Sequence, residues 1–267
     1  MVRSACSSPG GAMRLAGQIA LVLVGCACFA SGAGAAQTAR LRVSLDPDVA
    51  GQRTTIELSL HVAGTDGLPP APLSSFDFRL PANMGIATTT LGQANCEQAQ
   101  LLDDGLHGCS ANARIGFGDA TAVVPVGSQN VRERASLNAL MGPAVEDHLD
   151  VLFYVEALEP VSARFVLPGV VQEDVLPYGE RLDTSVPLIQ TWPEGPDLAL
   201  ETFASTIGPL HLTYFRELDG KTVPYHPRGI RIPQVCPTGG YPFAVLLDFQ
   251  DGTHTVASDR VPCPSGR

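Results

Sequence analysis

Lysine is nearly absent from this chain of 267 residues, which contains Lys221 and sixteen arginines. Acidic residues outnumber basic ones, 27 to 17, and the formal net charge is −10. A surface with this balance repels nucleic-acid phosphates and anionic membranes. We therefore expect no nucleic-acid partner.

Aromatic residues are also scarce, at 6% of the chain, with a single tryptophan and five tyrosines. Sheet proteins that bind glycans usually present aromatic side chains on which sugars stack. Trp192 and Tyr178 are the candidates for such a platform, although a tryptophan that caps the edge of a core is the favoured interpretation.

Motifs for catalysis and metal binding are missing. The six histidines include no HExxH pair, and no GxSxG elbow is present. His148 beside Asp147 could join a serine in a triad, but almost any chain of this length offers such a set. Acidic residues in turns leave a weak calcium site as an alternative, namely Asp46, Asp48, Asp103, Asp104, Glu146, Asp147, Glu173 and Asp174. We predict no catalytic residue, no cofactor and no metal.

The only long apolar run lies near the N-terminus. Arg14 precedes an apolar stretch from Leu15 to Ala30, and small residues around Ala33-Gly34-Ala35 follow. This pattern predicts a signal peptide over residues 1–35 and a secreted or cell-surface protein. The leader holds two arginines and no acid, so the remaining chain carries about −12. No later run is long enough to predict a transmembrane helix.

A lipid anchor is the alternative to simple secretion. Leu23-Val24-Gly25-Cys26 resembles the lipobox of bacterial lipoproteins, in which the cysteine is acylated. Apolar residues continue past Cys26, which favours cleavage without lipidation. A membrane contact is expected only if Cys26 is lipidated.

Four cysteines follow the leader, and an even number behind an export signal predicts disulfides. Of the three possible connectivities, the two local pairs are favoured, Cys96 with Cys109 and Cys236 with Cys263. A metal site of Cys96, His107 and Cys109 is the alternative, but an oxidising compartment favours the disulfide.

Alternating apolar and polar residues predict an all-β protein from Arg40 onward. About a dozen strands with turns between them favour an Ig-like or jelly-roll-like antiparallel β-sandwich, over residues 36–267, as one large domain or as two small ones divided near residues 127–142. The run Leu149–Val155 is the most apolar and predicts a strand in the middle of a sheet. Residues 182–189 predict a further strand, and the charged stretch Val131–Arg134 is expected to be exposed.

Two local features stand out in this pattern. Asp251-Gly252 lies between two strand-like runs and predicts a hairpin whose open end Cys236 and Cys263 would close. Residues 97–103 are good helix formers and Gly105 can end them, which predicts one short helix under the Cys96–Cys109 disulfide.

The cysteine segments carry a resemblance. Gly108-Cys109-Ser110-Ala111-Asn112-Ala113-Arg114-Ile115-Gly116, Cys236-Pro237-Thr238-Gly239-Gly240-Tyr241-Pro242-Phe243 and Val261-Pro262-Cys263-Pro264 resemble a family of uncharacterised secreted proteins of high-GC Gram-positive bacteria. Ser110 stands where a proline is usual in that family. The resemblance implies secretion and transfers no catalytic or binding residue to this chain.

Three functions are compatible with these observations. The leading hypothesis is a non-catalytic secreted or cell-envelope protein with a structural or interaction role, whose partner is an extracellular protein or envelope component. The alternatives are an extracellular module that binds a glycan or small ligand, and an extracellular hydrolase whose site is assembled from loops.

Overall fold

The computed structural model describes residues 37–85, 91–145, 148–159, 162–190 and 195–264. The predicted signal peptide with Cys26, and also Glu146, Asp147 and Trp192, lie outside the described residues.

Strands dominate the described chain. They are β1 (Thr38–Asp46), β2 (Arg53–Ala63), β3 (Leu73–Pro81), β4 (Arg114–Val126), β5 (Gln129–Val145), β6 (His148–Glu159), β7 (Ala163–Glu173), β8 (Tyr178–Ser185), β9 (Ala199–Ile207), β10 (Tyr214–Leu218), β11 (Lys221–Tyr225), β12 (Ile230–Arg231), β13 (Tyr241–Phe249) and β14 (His254–Val261). The α-helix α1 spans Gln98–Asp104, and short 3₁₀ turns cover Thr65–Gly67, Gly105–Gly108 and Ala111–Ala113.

Twelve of these strands form one antiparallel sheet in the order β1-β2-β9-β4-β5-β6-β7-β8-β3-β13-β14, with β12 beside β2, while β10 and β11 form a separate hairpin. The all-β sandwich class is therefore confirmed. The sequence did not predict that the strands would share one continuous sheet.

The sheet is nearly closed, because its two end strands lie side by side. The amide of Val43 in β1 donates to Asp259 Oδ2 in β14 at 2.7 Å, and Gln37 Nε2 donates to Asp251 Oδ2 at 3.3 Å. The inner face of the whole sheet thus surrounds one apolar core, to which β1, β2, β6 and β13 all contribute buried side chains.

The C-terminal hairpin forms as the sequence predicts. β13 and β14 pair from Tyr241 with Val261 to Asp248 with His254, and Gly252 has the positive φ of 80° that the turn requires. Residues 127–142 belong to the turn after β4 and to β5, which pairs with β4 on one side and β6 on the other.

The apolar strand β6 is sixth of the eleven strands along the sheet, so its predicted central place is confirmed. The strand predicted over 182–189 is wrong in its second half, since β8 ends at Ser185. Pro187 has no N–H to donate to a neighbouring strand, which explains why the chain leaves the sheet there.

Helix α1 covers the outer face of the sheet over β5, β6 and β7. A capping box formed by Glu97 and Gln100 begins it, and Gly105 with φ 62° ends it, as predicted. Leu101 is fully buried against Leu140 and Leu152.

Candidate ligand-binding cavities

Two apolar cavities lie on the inner face of the sheet, with volumes of about 100 Å³ and about 130 Å³. We call the smaller one the inner cavity and the larger one the outer cavity. Each is close in size to an engineered apolar cavity of about 150 Å³ that binds benzene or xenon.

Aliphatic and aromatic side chains from strands across the sheet line the inner cavity, among them Leu41, Ile56, Phe78, Ile115 and Val245. Their inward direction follows from the two-residue period of each strand. The wall also contains the hydroxyl of Ser205, a residue only 5% exposed. Among the described residues this hydroxyl has no hydrogen-bond partner.

The outer cavity exists because the side chains at several of its wall positions are small. Ala120, Ala135 and Ala157 are direct partners across β4, β5 and β6, and all three line the cavity. Alanine is depleted in strands, where larger β-branched or aromatic side chains usually fill this space. The row of alanines therefore leaves a volume that the neighbouring side chains do not fill.

A bulge lies beside this row, in β9, where Phe203 is the direct partner of Ala120. The register between β4 and β9 shifts between Thr121 and Ala122, so that Thr202 and Leu200 are successive partners of β4. As a result, both Leu200 and Phe203 line the two cavities. A bulge re-aims side chains in this way by adding one residue to one strand of a pair.

Phe76 and Phe153 separate the two cavities. Both side chains line each cavity, and their ring centroids lie 5.9 Å apart with planes tilted by 60°. Leu73, Leu200 and Phe203 also line both cavities, so the wall between them is made of several side chains.

Glu133 is the one charged side chain in the wall of the outer cavity. It is 3% exposed and lies directly opposite Ala122. The expectation that Val131–Arg134 is exposed is therefore wrong at this residue, because strand alternation turns Glu133 inward while Arg132 and Arg134 point outward.

The outer cavity reaches the surface beside residues 186–189. Leu188 lines it and is nevertheless 54% exposed. The departure of the chain from β8 at Pro187 thus places apolar side chains at the mouth of the cavity.

The predicted disulfides are confirmed. Cys96 and Cys109 are bonded with a Cα–Cα distance of 5.4 Å, and Cys236 and Cys263 with 5.8 Å. The alternative metal site with His107 is therefore wrong. No group of three or more His, Cys, Asp or Glu side chains in the described part of the chain is placed to hold a metal ion.

The remaining sequence candidates do not meet at one site. His148 Nε2 lies 3.4 Å from Asp150 Oδ1, whereas its proposed partner Asp147 is outside the described residues. Tyr178 packs against the guanidinium of Arg79, 5.8 Å from the ring centroid, on the outer face of the sheet.

A polar network surrounds Arg79 on that outer face. Its Nη2 donates to Asp77 Oδ2 at 3.1 Å, and its Nε lies 3.5 Å from Asp174 Oδ2. Burial raises the pKa of Asp183, and the negative charge of Asp77, its direct partner across β3 and β8, raises it further. These contacts link β3, β7 and β8 on the surface, away from the cavities.

No helix in the described ranges is long and apolar enough to cross a membrane. Comparisons with protein-family models, curated proteins and solved structures found no match to this chain. The resemblance to a family of secreted proteins therefore stays a prediction.

Sequence reasoning missed every residue of the cavities. One available signal was the position of the alanines: Ala120, Ala122 and Ala135 alternate with polar or charged residues in β4 and β5, and so occupy places where a larger apolar residue is usual. The pairing that brings them together could not be seen without the register of the strands.

Proposed function

We propose that this chain is a non-catalytic extracellular protein that binds a small apolar ligand inside its sheet. The observation that carries the proposal is the pair of adjoining apolar cavities walled by Leu, Ile, Val, Phe and Ala side chains. Secretion is supported by the two disulfides, since such bonds persist in oxidising compartments.

Empty apolar volume has a free-energy cost. At about 24 cal/mol per Å³ of cavity, each void destabilises the protein by roughly 2–3 kcal/mol. The net stability of a domain is only about 5–15 kcal/mol. A bound apolar molecule would restore the missing van der Waals contacts, so the geometry favours occupation.

The glycan-binding alternative has less support. Tyr178 is held by Arg79 within the polar network, and the cavity walls present almost no hydrogen-bonding groups for sugar hydroxyls. A structural or interaction role without a ligand would not explain why the cavities are present.

The test is a calorimetric titration of the secreted protein with a straight-chain alcohol, together with its Ala135→Leu variant. Leucine at this position fills the outer cavity, so we expect the variant to bind at least about tenfold more weakly. The matched control is Ala99→Leu, which adds the same side chain on the exposed surface of α1. Equal affinity in all three proteins, or no binding to any of them, would contradict the proposal.

A further inference from the structure

We infer that the inner cavity takes a compact, uncharged molecule whose single polar group is a carbonyl oxygen, hydrogen-bonded to the hydroxyl of Ser205. A small cyclic ketone has this chemistry. The inference rests on the proposed function, because it assigns the class of ligand that one of the two cavities would hold.

Strand alternation directs Ser205 into the cavity. Phe203, Ser205 and Ile207 are alternate residues of β9, and all three line it. The direct partner of Ser205 on β4 is Gly118, which has no side chain to contact the hydroxyl. A Cβ atom at Gly118 would meet the backbone oxygen of Ala204, so the close approach of β4 and β9 excludes a larger residue there. The Ser205 hydroxyl is therefore not covered by a side chain from the opposite position of β4.

This hydroxyl has no hydrogen-bond partner among the described residues, although Ser205 is only 5% exposed. Buried polar groups in proteins nearly always have a partner, and an exception calls for an explanation. A buried water molecule needs about two to four polar partners. Of the described side chains that line the inner cavity, Ser205 is the only polar one, so a ligand atom explains the hydroxyl better than a water molecule does.

The count of donors and acceptors favours a carbonyl group over a hydroxyl on the ligand. A carbonyl oxygen accepts the hydrogen of the Ser205 hydroxyl and brings no donor of its own. A ligand hydroxyl would pair with Ser205 in one direction only, so one of the two O–H hydrogens would have no acceptor in this apolar wall. A buried donor without a partner weakens binding, and a buried charge weakens it much more. The favoured class is therefore an uncharged ketone with an apolar body.

The experiment compares three probes that differ in one substituent on the same six-membered ring: cyclohexanone, cyclohexanol and methylcyclohexane. One ring suits the inner cavity, whose volume of about 100 Å³ is close to that of a cavity that binds benzene. Dissociation constants are measured by equilibrium partitioning of each volatile probe from the vapour into a solution of the protein. We expect cyclohexanone to bind at least about fivefold more tightly than cyclohexanol, because only the alcohol buries an unpaired hydrogen.

Ser205→Ala tests the role of the hydroxyl. The variant should bind cyclohexanone at least about fivefold more weakly than the natural protein does, and methylcyclohexane no more weakly. The matched control is Thr184→Val. The Thr184 hydroxyl is also buried and without a partner among the described residues, but Thr184 lines neither cavity, so this change should leave all three dissociation constants unchanged.

A crystal structure of the cyclohexanone complex locates the ligand. We expect the ketone oxygen at about 2.7 Å from Ser205 Oγ, the usual length of an O–H···O hydrogen bond. Cyclohexanone in the outer cavity alone would overturn the inference.

The other outcomes separate this inference from the proposed function. Binding of cyclohexanol as tight as that of cyclohexanone, an unchanged constant for cyclohexanone in Ser205→Ala, or an equal loss in Thr184→Val would overturn the ketone assignment while apolar binding stands. Failure of every probe to bind, methylcyclohexane included, would overturn the ligand-binding function as well.

Discussion

Strands β5, β6 and β7 present two faces that are packed in opposite ways. On the outer face, Leu140, Leu152 and Tyr154 are covered by α1, and both Cys96 and Leu101 are 0% exposed. On the inner face, the alternate residues of the same strands surround the cavities.

The inner face differs in the size of its side chains. The inward positions of β5 and β6 include Ala135, Ala139 and Ala157 among larger residues such as Phe153, whereas the outward positions under α1 carry Leu140, Leu152 and Tyr154. The sequence therefore packs one side of these strands closely and leaves space on the other. These strands pack closely on their outer face, so the cavities on the inner face do not result from a general inability to pack.

The largest expected effect comes from the outer face. Leu101→Ala removes a fully buried side chain from a close-packed cluster and should lower the free energy of unfolding by about 2–5 kcal/mol. Chemical denaturation measures this value. The matched control is Leu102→Ala on the same helix, where the side chain is 49% exposed and the loss should be under about 1 kcal/mol. Equal losses would mean that the helix is not packed as described.

Removal of the Cys96–Cys109 disulfide beside the helix should have the next largest effect. Cys96→Ala with Cys109→Ala opens a loop with a sequence separation of 13 residues. The released chain entropy should lower the unfolding free energy by about 3 kcal/mol. Binding of an apolar probe should persist, because neither cysteine lines a cavity. Loss of binding in a variant that still folds would show that packing on the outer face affects the cavities on the inner face.

On the inner face, truncation of a polar group should stabilise the protein. Ser205→Ala removes a buried hydroxyl that lacks a partner among the described residues, and we expect a gain of about 1 kcal/mol in the ligand-free protein. Ser258→Ala, at an exposed position, should change the value by less than about 0.5 kcal/mol. A loss of stability in Ser205→Ala would indicate that the hydroxyl is satisfied.

The smallest effect concerns the closure of the sheet around the inner face. The hydrogen bond from the Thr253 hydroxyl lowers the pKa of Asp251, and the Thr253 amide and Gln37 lower it further. A lowered folded-state pKa contributes stability that is present above the unfolded value of about 3.9 and is lost as the pH falls through the folded value.

Asp251→Asn cannot titrate, so its stability should fall less than that of the natural protein as the pH is lowered from about 5 to 3. The difference should be small, because the carboxylate is exposed to solvent. Unfolding free energies measured across this range check it. Parallel curves for the two proteins would show that the Asp251 contacts do not contribute.

Local patterns predicted much of the fold. The C-terminal hairpin, the short helix and both disulfides depend on signals within about thirty residues of each other, namely the turn at Asp251-Gly252, the helix end at Gly105 and the cysteine spacing. Such signals can be recognised in the sequence because their physical cause lies in the same short segment.

The site depends on contacts between distant segments. Glu133 was expected in solvent because its neighbours are charged, and its burial depends on which face β5 turns to the core. Likewise, the alanine row exists only because the registers of β4, β5 and β6 align Ala120, Ala135 and Ala157. Closure of the sheet joins β1 to β14 across more than 200 residues of chain.

The most direct test of the proposed cavities is a crystal structure of the protein under xenon pressure. Xenon enters dry apolar cavities of this size. We expect anomalous xenon peaks in both cavities, one beside Phe78 and Ile115 and one beside Ala135 and Phe165. Side chains that fill these volumes, or ordered water in place of xenon, would contradict it.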